Sequence, residues 1–106
     1  MVIKFEEVYL EELYTQGKTK NKKYRFQKAI ISKYISTIDK LKPLNRIEDL
    51  FPLKSLNYEK LSNNKKDTES VRVNDKYRIE FKSSTEGEDP NIITICSITA
   101  LSNHYK

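Results

Sequence analysis

Apolar and polar positions follow three rhythms along this chain, and each predicts a different element. Val2 to Phe5 is a short β-prone stretch and predicts a first strand. Glu6 to Gln16 places Leu10, Leu13 and Tyr14 at helical spacing, with acids in its first turn and Gly17 as a stop. A linker over Lys18 to Asn21 leads into the longest periodic segment. Its apolar stripe runs through Ile31, Tyr34 or Ile35, Ile38 and Leu41, and Pro43 ends it. So short a connection makes two antiparallel helices the simplest expectation. From Arg46 to Leu61 no period dominates. Pro52 breaks the segment, and Leu53, Leu56, Tyr58 and Leu61 read as apolar anchors of a mostly extended connector. Residues 63–67, Asn-Asn-Lys-Lys-Asp, read as a polar turn.

Strand rhythm takes over beyond that turn. Val71 and Val73 flank Arg72, and Tyr77, Ile79 and Phe81 alternate with Arg78, Glu80 and Lys82. If all five apolar residues face one core, the turn between Val73 and Tyr77 must hold an odd number of residues. Asn74-Asp75-Lys76 meets that condition with residues that favour turns. The same parity sets Arg72 directly opposite Arg78 on the other face. Like charges so placed repel mildly. Either solvent and the nearby Glu80 relieve the repulsion, or an anion belongs there. Gly87 and Pro90 mark a loop, and Ile92 to Leu101 is nearly continuous in apolar and small residues, as expected of a central strand covered on both faces.

At 106 residues the chain is the size of one domain, spanning 1–106, with room for a modest core. The expected class is α+β: an N-terminal strand, two helices, then an antiparallel sheet of about three further strands. A net charge of +5 favours a polyanionic or acidic partner over a neutral ligand. That charge is concentrated. Lys18, Lys20, Lys22, Lys23, Arg25, Lys28 and Lys33 occur with no acid from residue 18 to 38, whereas the first 17 residues hold one Lys and four Glu. A solvated helix face is the plain reading of such a run. Lys22, Lys23 and Arg25 are also candidates to follow a phosphate backbone, and Tyr24 and Phe26 between them serve either base stacking or the core.

The single cysteine, Cys96, lies in an apolar run and reads as a buried structural thiol in a cytoplasmic protein. No Cys/His cluster suggests zinc, and no metal or cofactor is expected. No run reaches the roughly 18 apolar residues of a membrane span, and the N-terminus lacks the apolar centre of a signal peptide. The one histidine, His104, stands near the C-terminus, after the arginine hairpin and the last apolar run. Imidazole is the side chain best suited to exchange protons near neutral pH, and guanidiniums suit a phosphate beside it. Chemistry or binding on a nucleic-acid backbone is therefore the functional expectation.

The residues from Leu61 to Phe81, with Ser70-Val-Arg-Val-Asn-Asp-Lys-Tyr-Arg-Ile-Glu-Phe81 at their centre, resemble the HigB branch of the RelE/ParE toxin superfamily. That branch shows a Ser-Ile-Arg-Val-Asn-x-x-Trp/Tyr-Arg-Ile-x-Phe signature and ends in an aliphatic strand running into a histidine. Phe51-Pro-Leu-Lys-Ser-Leu56 resembles the connector before the signature, and the element order agrees over nearly the whole chain. The resemblance implies a RelE-like fold and a toxin that cleaves mRNA on the ribosome without metal, silenced by a HigA-like helix-turn-helix antitoxin. Operator DNA would be met only through that antitoxin.

By the same resemblance His104 transfers protons, while Arg78 and Arg72 stabilise charge on the phosphate. Lys65 and Lys66 add positive charge, and Tyr105 stacks on a base. The chain departs from the family in its tail: Ser102-Asn103-His104 stands where many members have Asp-Tyr-His, and Ser62 replaces a family lysine. The alternative is a non-catalytic protein of this fold, either a gyrase inhibitor like the ParE branch or a degenerate toxin. The ParE branch lacks the terminal histidine.

Overall fold

A computed structural model of the chain describes residues 1–61 and 67–103. Strand β1 (Val2–Phe5) is followed by helices α1 (Val8–Gln16) and α2 (Lys28–Leu41). Next come β2 (Glu59–Lys60), β3 (Glu69–Arg72), β4 (Tyr77–Glu86) and β5 (Ile93–Asn103). The strands form one sheet in the order β1-β5-β4-β3-β2. Neighbours pair antiparallel except β1 with β5, which run parallel. This is the expected α+β architecture, with a two-residue edge strand added.

Gly17 ends α1 as anticipated: at φ 73° it adopts the left-handed conformation and donates its N–H to Leu13 O. In α2 the stripe resolves to Ile31, Tyr34, Ile38 and Leu41, with Ile35 at its margin. Tyr34 is fully buried, and its hydroxyl donates to Leu10 O at 2.8 Å. Tyr14 Oη donates to Asp39 at 2.5 Å, and Lys42 Nζ lies 4.5 Å from the Tyr14 ring centre.

These contacts correct the expectation of a short linker and antiparallel helices. The connection extends to Gln27 and carries a 3₁₀ turn at Lys22–Tyr24. Tyr24 stacks on Tyr9, at the start of α1, with ring centres 3.6 Å apart. The chain thus returns along α1 before α2 begins, and contacts advance together along the two helices. The connector before the sheet also differs from the expected extended form, folding into 3₁₀ turns at Ile47–Leu50 and Lys54–Leu56. Leu50 and Leu56 drop into the core from these turns.

Hairpin parity holds. Val71 pairs with Ile79 and Arg72 with Arg78, and the turn between the strands is Asn74-Asp75-Lys76. Asn74 Oδ1 accepts the N–H groups of Lys76 and Tyr77, both at 2.8 Å, closing the turn from within. Val71, Val73, Ile79 and Phe81 join Leu10, Leu13, Tyr34, Ile38 and Leu41 in the core.

β5 lies inside the sheet as expected, but its unbroken apolar character has a different origin. Glu80 pairs with Ala100 and Phe81 with Ile98, leaving Thr99 as the extra residue of a β-bulge. Cys96, Ile98 and Leu101 therefore all reach the helix-covered core, at spacings of two and then three. The opposite face carries Ser97, Ala100 and Ser102, each only partly buried.

Candidate functional site: an arginine row on the outer sheet face

Sheet register brings Arg72, Arg78 and Ser102 into one row across β3, β4 and β5. Side chains of directly paired residues share a face, and this face is the one turned away from Val71, Ile79 and Leu101. Ser70, Glu80 and Ala100 form the adjacent row. The like-charge question raised by the hairpin is answered locally, because each guanidinium has its own carboxylate. Arg78 Nε donates to Glu80 Oε2 at 3.2 Å, and Ser102 Oγ donates to the same oxygen at 2.6 Å. Arg72 Nε donates to Asn74 O at 3.2 Å, and its Nη2 pairs with Asp75.

The two pairs are unequal. The Arg78 and Glu80 side chains are 12% and 4% exposed, so their pair sits in a poorly hydrated setting. Those of Arg72 and Asp75 are 42% and 89% exposed, so water and salt screen that pair and an anion can compete for the guanidinium cheaply. Arg78 is the fixed member of the row and Arg72 the adaptable one.

Lys22, Lys23 and Arg25 are exposed on the linker, with Asn21 Oδ1 accepting the Lys23 N–H at 3.1 Å. Both interleaved aromatics are occupied by the protein. Tyr24 lies on Tyr9, and Phe26 meets Tyr77 edge-on at 5.7 Å. Tyr77 is the neighbour of Arg78 in β4, so the linker is pinned at the end of the sheet where the arginine row lies. Base stacking by these two rings is not available without undoing those contacts. Among the described residues, none of the seven basic residues from Lys18 to Lys33 has an acidic partner.

His104, Tyr105, Lys65 and Lys66 lie outside the described residues. The described part of β5 ends at Asn103, paired with Tyr77, and the histidine follows in sequence. Cys96 is fully buried, and burial pushes its thiol up to about 12, so it stays protonated. Among the described residues no cluster of His, Cys, Asp or Glu suits a metal ion, and no helix is long and apolar enough to cross a membrane.

One polar group escaped sequence reading. Glu69 is 7% exposed, and its carboxylate accepts Tyr58 Oη at 2.5 Å, Ser83 Oγ at 2.5 Å and Ser83 N–H at 3.1 Å. Parity with Val71 and Val73 was the available signal, since it puts Glu69 on the core-facing side. The carboxylate serves as a strand substitute: β3 starts at Glu69, so the Ser83 N–H has no backbone partner there. Burial, followed by this hydrogen bond, pushes the Tyr58 phenol upward. A broad cleft of about 1950 Å³ borders this group, at the far end of β4 and β5 from the arginine row.

Element order and sheet connectivity define a small α+β protein in which a parallel N-terminal strand extends an antiparallel sheet floored by two helices. This fold is shared with a YoeB/ParE toxin from Agrobacterium tumefaciens, matched at a TM-score of 0.60 and 15% identity over 99% of this chain and 100% of that one. No family model matches the chain, and no curated protein matches it in sequence.

Proposed function

We propose that this protein is the toxin of a toxin–antitoxin pair and acts as a ribosome-dependent mRNA endonuclease, one HigB-like domain spanning residues 1–106. The observation that carries the reading is the Arg72–Arg78–Ser102 row on the outer sheet face, in a fold shared with a bacterial toxin. In the proposed reaction a ribose 2′-hydroxyl attacks the adjacent phosphorus and the 5′-oxygen leaves, giving a cyclic phosphate and a free 5′-hydroxyl. The step needs proton transfer and cations for the negative charge of the phosphorane. His104 is assigned the proton transfer and Arg78 the phosphorane charge. Arg72 joins by exchanging its exposed carboxylate for phosphate oxygen. Lys65, Lys66 and Tyr105 are proposed contacts to the RNA, and Lys22, Lys23 and Arg25 a second basic contact. The proposed partners are translating ribosomes with their mRNA and a HigA-like helix-turn-helix antitoxin, all in the cytoplasm. So small a basic surface grips free RNA poorly, so the ribosome supplies alignment.

The test is expression in growing cells and cleavage of mRNA on purified translating ribosomes. Wild type should arrest growth and cut within codons, and the neighbouring antitoxin should relieve the arrest. Arg78→Ala should lower cleavage by roughly 100-fold or more, the scale of removing one donor to a developing oxyanion. His104→Ala should abolish it. Undiminished cleavage in both variants would remove the proposed site. A second reading, gyrase inhibition, is favoured by the carboxylate already held by each arginine, which leaves the row electrically balanced. Loss of supercoiling activity on adding the protein to purified gyrase, without RNA cleavage, would select it.

A further inference from the structure

Arg78 is held in a manner that a solvent-exposed phosphate ligand would not require. Its Nε–H is spent on Glu80 Oε2, an atom that also receives the Ser102 hydroxyl. Glu80 itself is 3% exposed and stands two residues from Arg78 on the same face of β4. A guanidinium presents five N–H donors in a rigid fork. With Nε anchored, the stem and plane of Arg78 are set, and the Nη edge stays available; among the described residues no partner takes it. The three residues come from two adjacent strands, so the sheet register fixes their spacing.

Building on the proposed nuclease reading, we infer that Glu80 and Ser102 are positioning residues that hold the Arg78 guanidinium with its Nη edge presented to the scissile phosphate. The carboxylate works against simple anion binding, since its charge repels a phosphate nearby. It repays that by removing the freedom of the arginine before the phosphorane forms. Its removal should therefore separate affinity from turnover. In Glu80→Gln, KM for ribosome-bound mRNA stays unchanged or falls while kcat drops roughly 10- to 100-fold, the scale of a small misplacement of a reacting group. Ser102→Ala keeps the carboxylate and loosens it, so a smaller drop in kcat of roughly threefold is expected, in the same direction.

Steady-state cleavage of mRNA on translating ribosomes in excess over the protein, per molecule of folded protein, measures both constants. NMR of the Arg78 side chain supplies a readout that is independent of activity. In wild type the Arg78 Nε–H should exchange slowly with water, and in Glu80→Gln at least tenfold faster. This measurement on the wild-type protein also stands if the variant fails to fold. Full activity in Arg78→Ala would overturn the nuclease site itself. A dead Arg78→Ala beside a fully active Glu80→Gln, or a fast-exchanging Nε–H in wild type, would overturn the positioning role alone. Loss of activity in Glu80→Gln equal to that in His104→Ala, together with loss of the acidic limb of the pH profile, would also overturn it, making Glu80 a proton acceptor instead.

Discussion

Removing Tyr58 Oη and the Glu69 charge separately and together tests whether the carboxylate holds the sheet where β3 stops. Tyr58→Phe deletes one of three donors to the carboxylate and leaves the Ser83 pair in place. A hydrogen bond to a charged group contributes about 1.5–3 kcal/mol net, and Tyr58 is half-buried, so about 1.5 kcal/mol is expected. Glu69→Ala is worse. It strips the Ser83 N–H of its acceptor in a position 7% exposed, so the desolvation penalty adds to the lost bonds, for about 3 kcal/mol. Glu69→Gln falls between, since an amide oxygen still serves Ser83 while its NH₂ can only donate to Tyr58 Oη, a reversed bond without the carboxylate charge. In a double-mutant cycle of Tyr58→Phe with Glu69→Gln, the coupling should be about 1–2 kcal/mol. Urea unfolding followed by far-ultraviolet circular dichroism gives each stability. For a chain of this size 1 kcal/mol moves Tm by about 4–8 °C, so thermal melts give a second measure. Coupling below about 0.3 kcal/mol would refute the reasoning, as would Glu69→Ala proving no worse than Tyr58→Phe.

Cys96 predicts an alkaline weakness. Its thiol rises from 9.0 to about 12 on folding, so above pH 9 the unfolded chain has released a proton that the folded chain still holds. The thiol's contribution to stability is therefore complete below pH 9 and falls as pH rises towards 12, by about 3 kcal/mol at pH 11. The stability gap between wild type and Cys96→Ala, measured in urea at pH 8 and pH 11, should shift by that amount in favour of the variant. Gly17→Ala meets nothing within 4 Å and suffers only from the φ of +73°, so it should cost about 1 kcal/mol in urea unfolding, with Gly17→Asn closer to wild type. Replacing Lys22, Lys23 and Arg25 by Gln should leave Tm nearly unchanged, because none has an acidic partner, while flattening the salt dependence of ribosome binding measured by sedimentation.

Sequence rhythm made the helix stripe and the hairpin legible because both follow from a single period. Parity alone placed Arg72 against Arg78, and the structure has that register. What stayed hidden came from contacts between distant parts of the chain. The linker reads as a charged connection, yet its course is set by Tyr24 on Tyr9 and Phe26 on Tyr77. Local pattern carries no record of such aromatic pairing. The connector from Arg46 to Leu61 lacks a period because 3₁₀ turns, with few residues each, present only single leucines to the core. At the site, the arginines were legible from alternation, whereas the tie between Ser102 and Glu80 depends on the bulge in β5, which no local signal announces.

That bulge settles a contest between two ways of threading the last strand. Continued without interruption from Ile98, β5 would turn Ala100 and Ser102 inward and strand Leu101 in water beside Arg78. Leucine's greater apolar area decides the matter, and the spare residue absorbs the mismatch. Excising Thr99 would thus be tolerated, straightening the strand while every later residue keeps its neighbour. Exchanging Ala100 with Leu101 would instead reward the unbroken thread, sending Ser102 to the helix side and depriving Glu80 of its hydroxyl without touching either arginine.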